Sequence, residues 1–389
     1  MKKNVLRVLP CLLILLPLVI ISCREQKAEW KGTVEEVNGV TLVKNPAKPL
    51  SDKAGRVLQL EEELRITDSG ADFYFKTPQN IKIDPDGSAF VLDDEQFLKF
   101  DRKGKFIKNL FKKGQGPGEF ERIGNYLFSD DEIIVLQGRP NKIVRLDMQG
   151  ELIDEIRPEK AASKLITCFG DRYVTAYSSF PKLEKAGEEP EIIDVTWSLC
   201  FVTESGEVED TGLGFPVKWY AQRLQNAIIA NFIVDFTAKP FMARSLVIYN
   251  TQEYMLKLID LDTMQIVRAF TREYKKVMQK PDKTGRVEVR PQIYTLVPPV
   301  DYLNDIQNLF VQKESIWAMT STMDSEKGIL VDVFDQNGEY TDYFYLPLQH
   351  IVKLEGLSQH PMTISGDSLY IVEYGEDDIP SVVKYRIKN

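Results

Sequence analysis

The feature that most constrains the fold of this chain is a strand–turn–strand unit that recurs along its length. Each copy has an apolar run, then Asp-x-x-Gly or a related tetrapeptide, then a second apolar run. An Asp side chain accepts hydrogen bonds from backbone N–H groups two residues on, and Gly tolerates the positive φ that ends such a turn, so each copy predicts a β-hairpin. The copies lie at residues 98–107, 143–153, 199–208, 258–266 and 331–340.

A short run of β-branched and aromatic residues precedes each hairpin, and a sixth run lies near the C-terminus. Together the two patterns predict six units of four antiparallel strands, which is typical of a β-propeller. A two-sheet sandwich is the structural alternative, but it does not explain a regular four-stranded unit. The six runs occupy residues 88–92, 132–136, 172–177, 245–249, 315–319 and 368–373.

The last unit is one strand short, because the sixth run is followed only by the strand-like residues 382–387. We therefore expect an N-terminal strand to complete the ring, since closure removes exposed sheet edges. The candidates are residues 40–43 and, better, residues 57–66. The predicted fold is all-β: a six-bladed β-propeller of four-stranded antiparallel blades, closed by an N-terminal strand.

The first 22 residues have a positive start and a mostly apolar stretch that is too short and too Pro-interrupted for a comfortable membrane span. Residues 20–23 then resemble the lipobox of bacterial lipoproteins. The resemblance implies cleavage before Cys23 and lipid on that cysteine, and several acyl chains suffice for stable anchoring. The alternatives are a buried core helix, or an ordinary secretory signal with an incidental cysteine.

These patterns divide the chain into a signal peptide (1–22), a tether (23–39) and a propeller (40–389). We expect the protein in the cell envelope, held to a membrane through Cys23. No Asp follows that cysteine, which favours the outer membrane.

Loss of the three positive charges of the signal peptide would bring the net charge from −9 to −12. This acidic balance argues against nucleic acid as a partner, which needs clustered Lys and Arg.

Two long insertions, near residues 212–240 and 271–302, interrupt the regular period, and the first contains a predicted short helix at residues 220–229. Loops on one face of a propeller are the expected place for function. Aromatic side chains there would suit sugar or peptide binding, although packing into the core is the alternative. The candidates are Trp219, Tyr220 and Phe241 in or near the first insertion, and Tyr294 in the second. The second insertion also begins with several Lys and Arg residues.

Residues 79–120 contain Asp84-Pro-Asp-Gly87, Phe100-Asp101-Arg-Lys-Gly104 and Gly114-Gln-Gly-Pro-Gly118. With the stretch from Trp30 to Asn45, they resemble NHL-type repeat propellers. More narrowly they are similar to six-bladed propeller lipoproteins of Gram-negative bacteria, most of which have no assigned activity. The resemblance covers residues 30–156 well and residues 212–305 thinly. It implies fold and location, and a binding platform for proteins, peptides, RNA or glycans. A minority of such propellers are lyases or lactonases with a metal in the central channel.

Catalytic motifs are weak in this sequence. The glycine-rich loop at residues 114–118 lacks the following helix and Lys of a phosphate loop, and residues 84–95 lack the central Gly of a calcium loop. Both are predicted turns. Only His350 and His360 exist, too few for the metal site of the propeller lyases, and no Gly-x-Ser-x-Gly elbow is present. We predict no catalytic residue, no metal ligand and no cofactor.

Cysteine usage leaves one structural alternative open. Cys168 and Cys200 lie in apolar strand-like runs, and an oxidising envelope would allow them to pair, but two separate buried thiols fit equally well.

The first functional hypothesis is a membrane-anchored binding or scaffold propeller for a protein, peptide or glycan. The alternative is a calcium-assisted hydrolase or lyase of the propeller lactonase type, drawing on strand-end carboxylates such as Asp93, Asp94 and Glu373.

Overall fold

The computed structural model describes most of the chain beyond its first 29 residues. The predicted signal peptide and the predicted lipidation site Cys23 lie outside the described part. Within that part, no helix is long and apolar enough to cross a membrane. The described residues are 30–68, 70, 72–138, 140–179, 189–224, 228–279, 286–289 and 292–388.

The turns of the repeated unit form as the sequence predicts. The backbone N–H of Gly104 donates to the carbonyl oxygen of Asp101 at 2.8 Å, and the N–H groups of Lys103 and Lys105 donate to the Asp101 carboxylate at 2.9 Å. Gly104 has φ +78°, the left-handed conformation that favours glycine. The same carboxylate contacts recur in the units at residues 143–153 and 331–340.

These hairpins belong to six sheets, the blades of a six-bladed β-propeller. Five blades contain four consecutive antiparallel strands, and the sixth contains three. The six predicted apolar runs lie in the second strands. Blade 1 contains Pro78–Ile83, Ala89–Asp93, Gln96–Phe100 and Phe106–Asn109. Blade 2 contains Ile123–Ser129, Glu132–Gln137, Lys142–Asp147 and Leu152–Ile156. Blade 3 contains Lys164–Phe169, Arg172–Ser179, Glu191–Val202 and Val208–Arg223, with Ile228–Phe232 as a fifth strand.

The second half of the ring follows the same plan. Blade 4 contains Thr237–Phe241, Ser245–Tyr249, Leu256–Asp260 and Gln265–Arg272. Blade 5 contains Ile306–Gln312, Ser315–Asp324, Gly328–Phe334 and Tyr340–Leu346. Blade 6 contains Met362–Ser365, Ser368–Tyr374 and Pro380–Lys388. A separate hairpin, Arg286–Val289 with Gln292–Thr295, follows blade 4, and the 3₁₀ helix Leu354–Gln359 follows blade 5.

Apolar side chains fill the space between neighbouring blades. Strands covered on both faces bury successive residues on opposite sides: Val91 packs against blade 6, whereas Phe90 packs against blade 2. Six such clusters occupy the six interfaces between neighbouring blades. The first strands of successive blades are in contact at five interfaces, including that of blade 6 with blade 1. The first strands are therefore the innermost ones and surround the central channel.

The N-terminal segment runs along the outer edges of three blades in turn, and we call residues 33–66 the N-terminal strap. Val40–Asn45 pairs in parallel with the outer strand of blade 4, and Thr33–Val37 forms a hairpin with it. Arg56–Val57 pairs in parallel with the outer strand of blade 5. Gln59–Ile66 then pairs antiparallel with Pro380–Lys388 and is the fourth strand of blade 6.

Three expectations are corrected by this arrangement. Residues 40–43 do not pair with the last blade, because blade 4 presents a free outer edge to them first. The predicted tether is shorter than residues 23–39, since Thr33–Val37 is already a strand. The helix predicted at residues 220–229 is absent from the described residues of that range, since residues 220–223 and 228–229 lie in paired strands that extend blade 3. They are strands because alternate residues of Val208–Arg223 point into the core and the facing strand Glu191–Val202 is long enough to pair with it.

Candidate ligand cleft at the mouth of the channel

A cleft opens where the innermost strands begin. Its walls come from three successive connections between blades: residues 231–235 (blades 3 to 4), residues 297–304 (blades 4 to 5) and residues 354–359 (blades 5 to 6). Since each connection leads into an innermost strand, the cleft lies at the mouth of the central channel. Its volume is about 190 Å³, below the roughly 300–1,000 Å³ of pockets for drug-sized ligands. It therefore fits one chemical group or the end of a chain.

The rim of the cleft carries two exposed aromatic side chains. Phe232 is 40% exposed and Tyr302 is 42% exposed, although both are large apolar groups that normally gain about 1.5–3 kcal/mol from burial. Phe232 packs edge-to-face on Trp219, with ring centroids 4.6 Å apart. This contact holds the Phe232 ring in place and leaves 40% of the side chain exposed to a ligand.

The inner wall of the cleft is polar and largely held in place by hydrogen bonds. Gln307 donates through Nε2 to the carbonyl oxygen of Asn304 at 3.0 Å, and the Tyr249 hydroxyl donates to the carbonyl oxygen of Gln307 at 2.9 Å. The side-chain oxygen of Asn304 is shielded from solvent and has no partner among the described residues. An unpaired buried acceptor of this kind costs about 1–3 kcal/mol, so a donor on a ligand would gain from meeting it.

Lysine side chains line the channel below the cleft. Lys164, Lys239 and Lys82 lie on the innermost strands of blades 3, 4 and 1. Lys164 has a counter-charge, since its Nζ lies 3.0 Å from Asp235 Oδ2. Lys82 and Lys239 form no ion pair with any described residue, and the Nζ of Lys82 lies 5.7 Å from the ring centroid of Tyr126.

The channel environment disfavours the charged form of these lysines. Burial, with a smaller contribution from the charge of Lys239, lowers the pKa of Lys82 to about 8. Burial, together with the charge of Lys164, lowers the pKa of Lys239 as well. The side chain of Lys239 is nevertheless exposed to solvent. A lysine that is surrounded by protein and still accessible to water lies in a solvent-filled channel.

Three of the four predicted binding aromatics pack against the cores between blades and do not line this cleft. Phe241 is 1% exposed and packs in the cluster between blades 4 and 5. Trp219 is 6% exposed and belongs to the cluster between blades 3 and 4, against which Tyr220 also packs. Of the two interpretations given for Trp219 and Phe241, binding or packing into the core, the structure therefore supports packing, because their strands turn them inward. The side chain of Tyr294 lies outside the described residues.

The carboxylates considered for a calcium site have other partners. Asp93 is fully buried and accepts hydrogen bonds from the backbone N–H groups of Lys76 and Thr77. Glu373 lies 2.8 Å from Arg65 Nη2 and accepts a hydrogen bond from Tyr385. The described residues contain no group of three or more His, Cys, Asp or Glu side chains placed to hold a metal ion.

The remaining sequence candidates are structural. His360 Nε2 lies 2.8 Å from the carbonyl oxygen of Val372, and His350 is exposed. Asp84 closes a β-turn in which the N–H of Gly87 donates to its carbonyl oxygen at 3.0 Å. The glycine-rich loop at residues 114–118 joins blades 1 and 2, as predicted. Cys168 and Cys200 are free thiols.

The channel lysines and the rim aromatics were missed by the sequence analysis. Lys82 follows the apolar residue Ile81 in a strand-like run and resembles any solvated strand residue. The available signal was the position of Lys82 just before the apolar run at residues 88–92. Each such run is the second strand of a blade, so the strand before it is the innermost one. Phe232 lies within the first insertion and Tyr302 ends the second, and only the fold brings the two insertions together.

The family model that matches part of the chain agrees with this architecture. The model of the family DUF5128, described as a 6-bladed beta-propeller, matches residues 68–187. No curated protein matches the chain. Among solved structures, a Bacteroides fragilis protein inferred to be exported is 11% identical with a TM-score of 0.47, over 90% of this chain and 100% of its own. A member of the DUF4221 family from Bacteroides vulgatus is 13% identical with a TM-score of 0.47, over 86% and 99%. A streptogramin B lyase is 11% identical with a TM-score of 0.38, over 85% and 98%.

Proposed function

We propose that this six-bladed propeller is an exported lipoprotein that binds a ligand or partner at the channel mouth. The observation that carries the proposal is the cleft itself. Three connections between blades converge there, two aromatic side chains remain exposed at its rim, and Asn304 presents an unpaired acceptor. Concave sites with an apolar rim and a few fixed polar groups are the usual form of ligand sites.

The size of the cleft favours recognition of part of a larger molecule. A volume of about 190 Å³ takes a sugar unit or the end of a peptide, while the rest of the partner would rest on the surrounding loops. Aromatic faces such as those of Phe232 and Tyr302 stack on the apolar faces of sugars and on other side chains. The partner is therefore a glycan, a peptide or a protein segment.

Location follows from the N-terminal sequence. We propose cleavage before Cys23, lipid on that cysteine and residence in the outer membrane, with the propeller tethered to the membrane surface. The support is the order of a positive start, an apolar stretch and a small residue before the cysteine. Labelling with a radioactive fatty acid tests this: label should appear in the wild-type protein and be absent from a Cys23→Ser variant.

The binding proposal is tested by affinity capture from envelope extracts. The variants Phe232→Ser and Tyr302→Ser remove the rim aromatics, and Ile153→Ser is the matched control because Ile153 is 47% exposed on the outer strand of blade 2. We expect a partner that is captured by the wild-type protein and by the control, and is lost in both rim variants. Equal capture by all four proteins, or capture by none, would refute the cleft as the binding site.

A further inference from the structure

A second pocket lies between blades 2 and 3, on the face of the propeller opposite to the cleft. The innermost strand of each blade begins at the face that carries the cleft and ends at the other face, where a turn follows it. Two such turns, residues 129–131 and 170–171, border the pocket, together with Glu204 in the turn between the third and fourth strands of blade 3. The volume of the pocket is about 360 Å³, within the roughly 300–1,000 Å³ of pockets that take a small molecule.

The wall of this pocket contains a buried tyrosine whose hydroxyl has no protein partner. Tyr173 is 6% exposed and packs with Ile134 in the apolar cluster between blades 2 and 3, and both side chains line the pocket. The Tyr173 hydroxyl forms no hydrogen bond with any described residue. Burial raises the pKa of Tyr173 to about 12, so the hydroxyl keeps its proton at neutral pH and can both donate and accept. A polar group in the pocket can therefore bond to it.

The pocket has an excess of negative charge. Five acidic side chains and two arginines line it, which gives a net charge of −3. Both arginines are engaged by glutamates: Arg145 Nε and Nη2 each lie 2.8 Å from a carboxylate oxygen of Glu132. Arg172 Nη1 lies 3.0 Å from Glu209, which is not part of the lining. The other four acids form no ion pair with any described residue, and they are Asp130, Asp131, Asp171 and Glu204.

The placement of the acids fits a ligand whose positive charge is distributed over several groups. The acids come from three turns in two blades, and the described residues contain no group of three or more His, Cys, Asp or Glu side chains placed to hold one metal ion. An organic cation can meet separated carboxylates, because each of its N–H groups forms its own charge-assisted hydrogen bond. A cation with several ammonium or guanidinium groups therefore matches this pocket better than a single metal ion.

We propose that this pocket binds an organic cation with two or more ammonium or guanidinium groups, which come from a free polyamine or from the basic side chains of a peptide. One cationic group donates a hydrogen bond to the Tyr173 hydroxyl, and the others pair with rim carboxylates such as Asp171 and Glu204. The ligand thereby compensates like charges that oppose one another in the empty pocket. The site lies on the face opposite to the cleft, so it is independent of the function proposed there.

The test titrates the purified protein with spermidine, with the peptide trilysine and with magnesium chloride at constant ionic strength, and follows binding by calorimetry. We expect saturable binding of spermidine or trilysine, and the preferred probe identifies the source of the cation. Affinity should be weaker by about tenfold or more in Tyr173→Phe, which removes one hydrogen bond to a charged group, and in the double variant Asp171→Asn with Glu204→Gln. Glu207→Gln is the matched control and should bind like the wild-type protein, because Glu207 is exposed in the same turn as Glu204 and does not line the pocket.

The thiol of Cys168 reports on the same site. Cys168 lines the pocket and is partly exposed, whereas Cys200 is buried elsewhere. The bound cation should slow the reaction of Cys168 with a neutral thiol reagent in proportion to occupancy and leave the rate at Cys200 unchanged, as measured by peptide mass spectrometry. Melting curves check that each variant is folded, and Tyr173→Phe keeps the packed ring. The inference is overturned if neither spermidine nor trilysine binds, if magnesium binds as tightly as they do, if Glu207→Gln weakens binding as much as the pocket variants, or if binding leaves the rate at Cys168 unchanged.

Discussion

The contact between blades 4 and 5 depends on a buried acid whose loss should be costly. Asp332 is fully buried, and its Oδ2 accepts hydrogen bonds from Arg272 Nε at 2.8 Å and Nη2 at 2.6 Å. The hydroxyls of Tyr254 and Tyr340 each donate to the same carboxylate at 2.7 Å. Arg272 ends the outer strand of blade 4, so the carboxylate of blade 5 joins the two blades.

The expected loss in the free energy of unfolding depends on which buried groups are left without a partner by each substitution. Removing one partner of a buried ion pair costs about 3–5 kcal/mol, because the other charge stays buried without compensation. Asp332→Ala also leaves two buried hydroxyls without an acceptor, and each such group costs about 1–3 kcal/mol. We therefore expect Asp332→Ala to lower the free energy of unfolding by at least about 4 kcal/mol, and Arg272→Met by about 3–5 kcal/mol.

A double-mutant cycle distinguishes a coupled pair from two independent packing losses. The cycle compares the wild-type protein with Arg272→Met, Asp332→Leu and the double variant that carries both. In the double variant neither charge remains buried alone, so its loss should be smaller than the sum of the two single losses by about 2 kcal/mol or more. The control pair is Lys44–Glu35, with side chains 49% and 48% exposed, for which we expect a coupling below about 1 kcal/mol. Urea unfolding followed by circular dichroism measures all eight proteins. The reasoning would be refuted if the losses in free energy of unfolding at Arg272 and Asp332 were additive. It would also be refuted if Asp332→Ala lost less free energy of unfolding than the variants of the exposed pair.

Four further outcomes follow from other contacts. Deletion of residues 30–66 should lower the melting temperature of the whole domain or prevent folding, and an unchanged melt would contradict closure of blade 6 by the strap. Asn45→Ala should cost about 2–3 kcal/mol in urea unfolding, because a buried side chain that bonds three backbone groups is lost. Burial raises the pKa of Asp305 to about 6, so Asp305 adds stability below about pH 4 and loses it as the pH rises through 6. Asp305→Asn should therefore gain stability relative to wild type between pH 4 and 7, by up to about 3 kcal/mol, and a difference that does not vary with pH would oppose this. Burial raises the pKa of Cys200 to about 11 and also raises that of Cys168, so both thiols should react with a thiol reagent at pH 8 far more slowly in the native than in the urea-unfolded protein.

The repeated unit could be predicted because its determinants are local. An Asp that accepts from backbone N–H groups two and four residues on, followed by a glycine with positive φ, specifies a turn within a few residues. The unit at residues 258–266 shows the limit of the pattern. There Asp260, and not Asp262, accepts from the N–H of Thr263, while Asp262 pairs with Arg244 in the turn between the first two strands of blade 4. A tertiary contact decides which of two nearby acids forms the turn.

The exposure of single aromatic residues could not be predicted either, because it also depends on tertiary contacts. In Val208–Arg223 the side chains alternate between the core and the solvent, and the face that Trp219 occupies depends on its register with Glu191–Val202. That register shifts at Ser198, and a one-residue shift moves a side chain to the opposite face. The site itself required three distant connections and two innermost strands to come together, which no local pattern contains.

The N-terminal strap changes how a lipid anchor would hold the propeller. Asn45 is bonded to Thr271 of blade 4 and to Gly338 and Tyr340 of blade 5, and it accepts from Trp30 Nε1 at 2.9 Å. The fold is therefore fixed from Trp30 onward, and it is fixed first at the outer edge of blade 4. Trp30 is seven positions after Cys23, which corresponds to at most about 25 Å of extended chain. With lipid on Cys23, the outer edge of blade 4 would therefore stay within that distance of the membrane, so the anchor would hold the propeller by the rim of this blade.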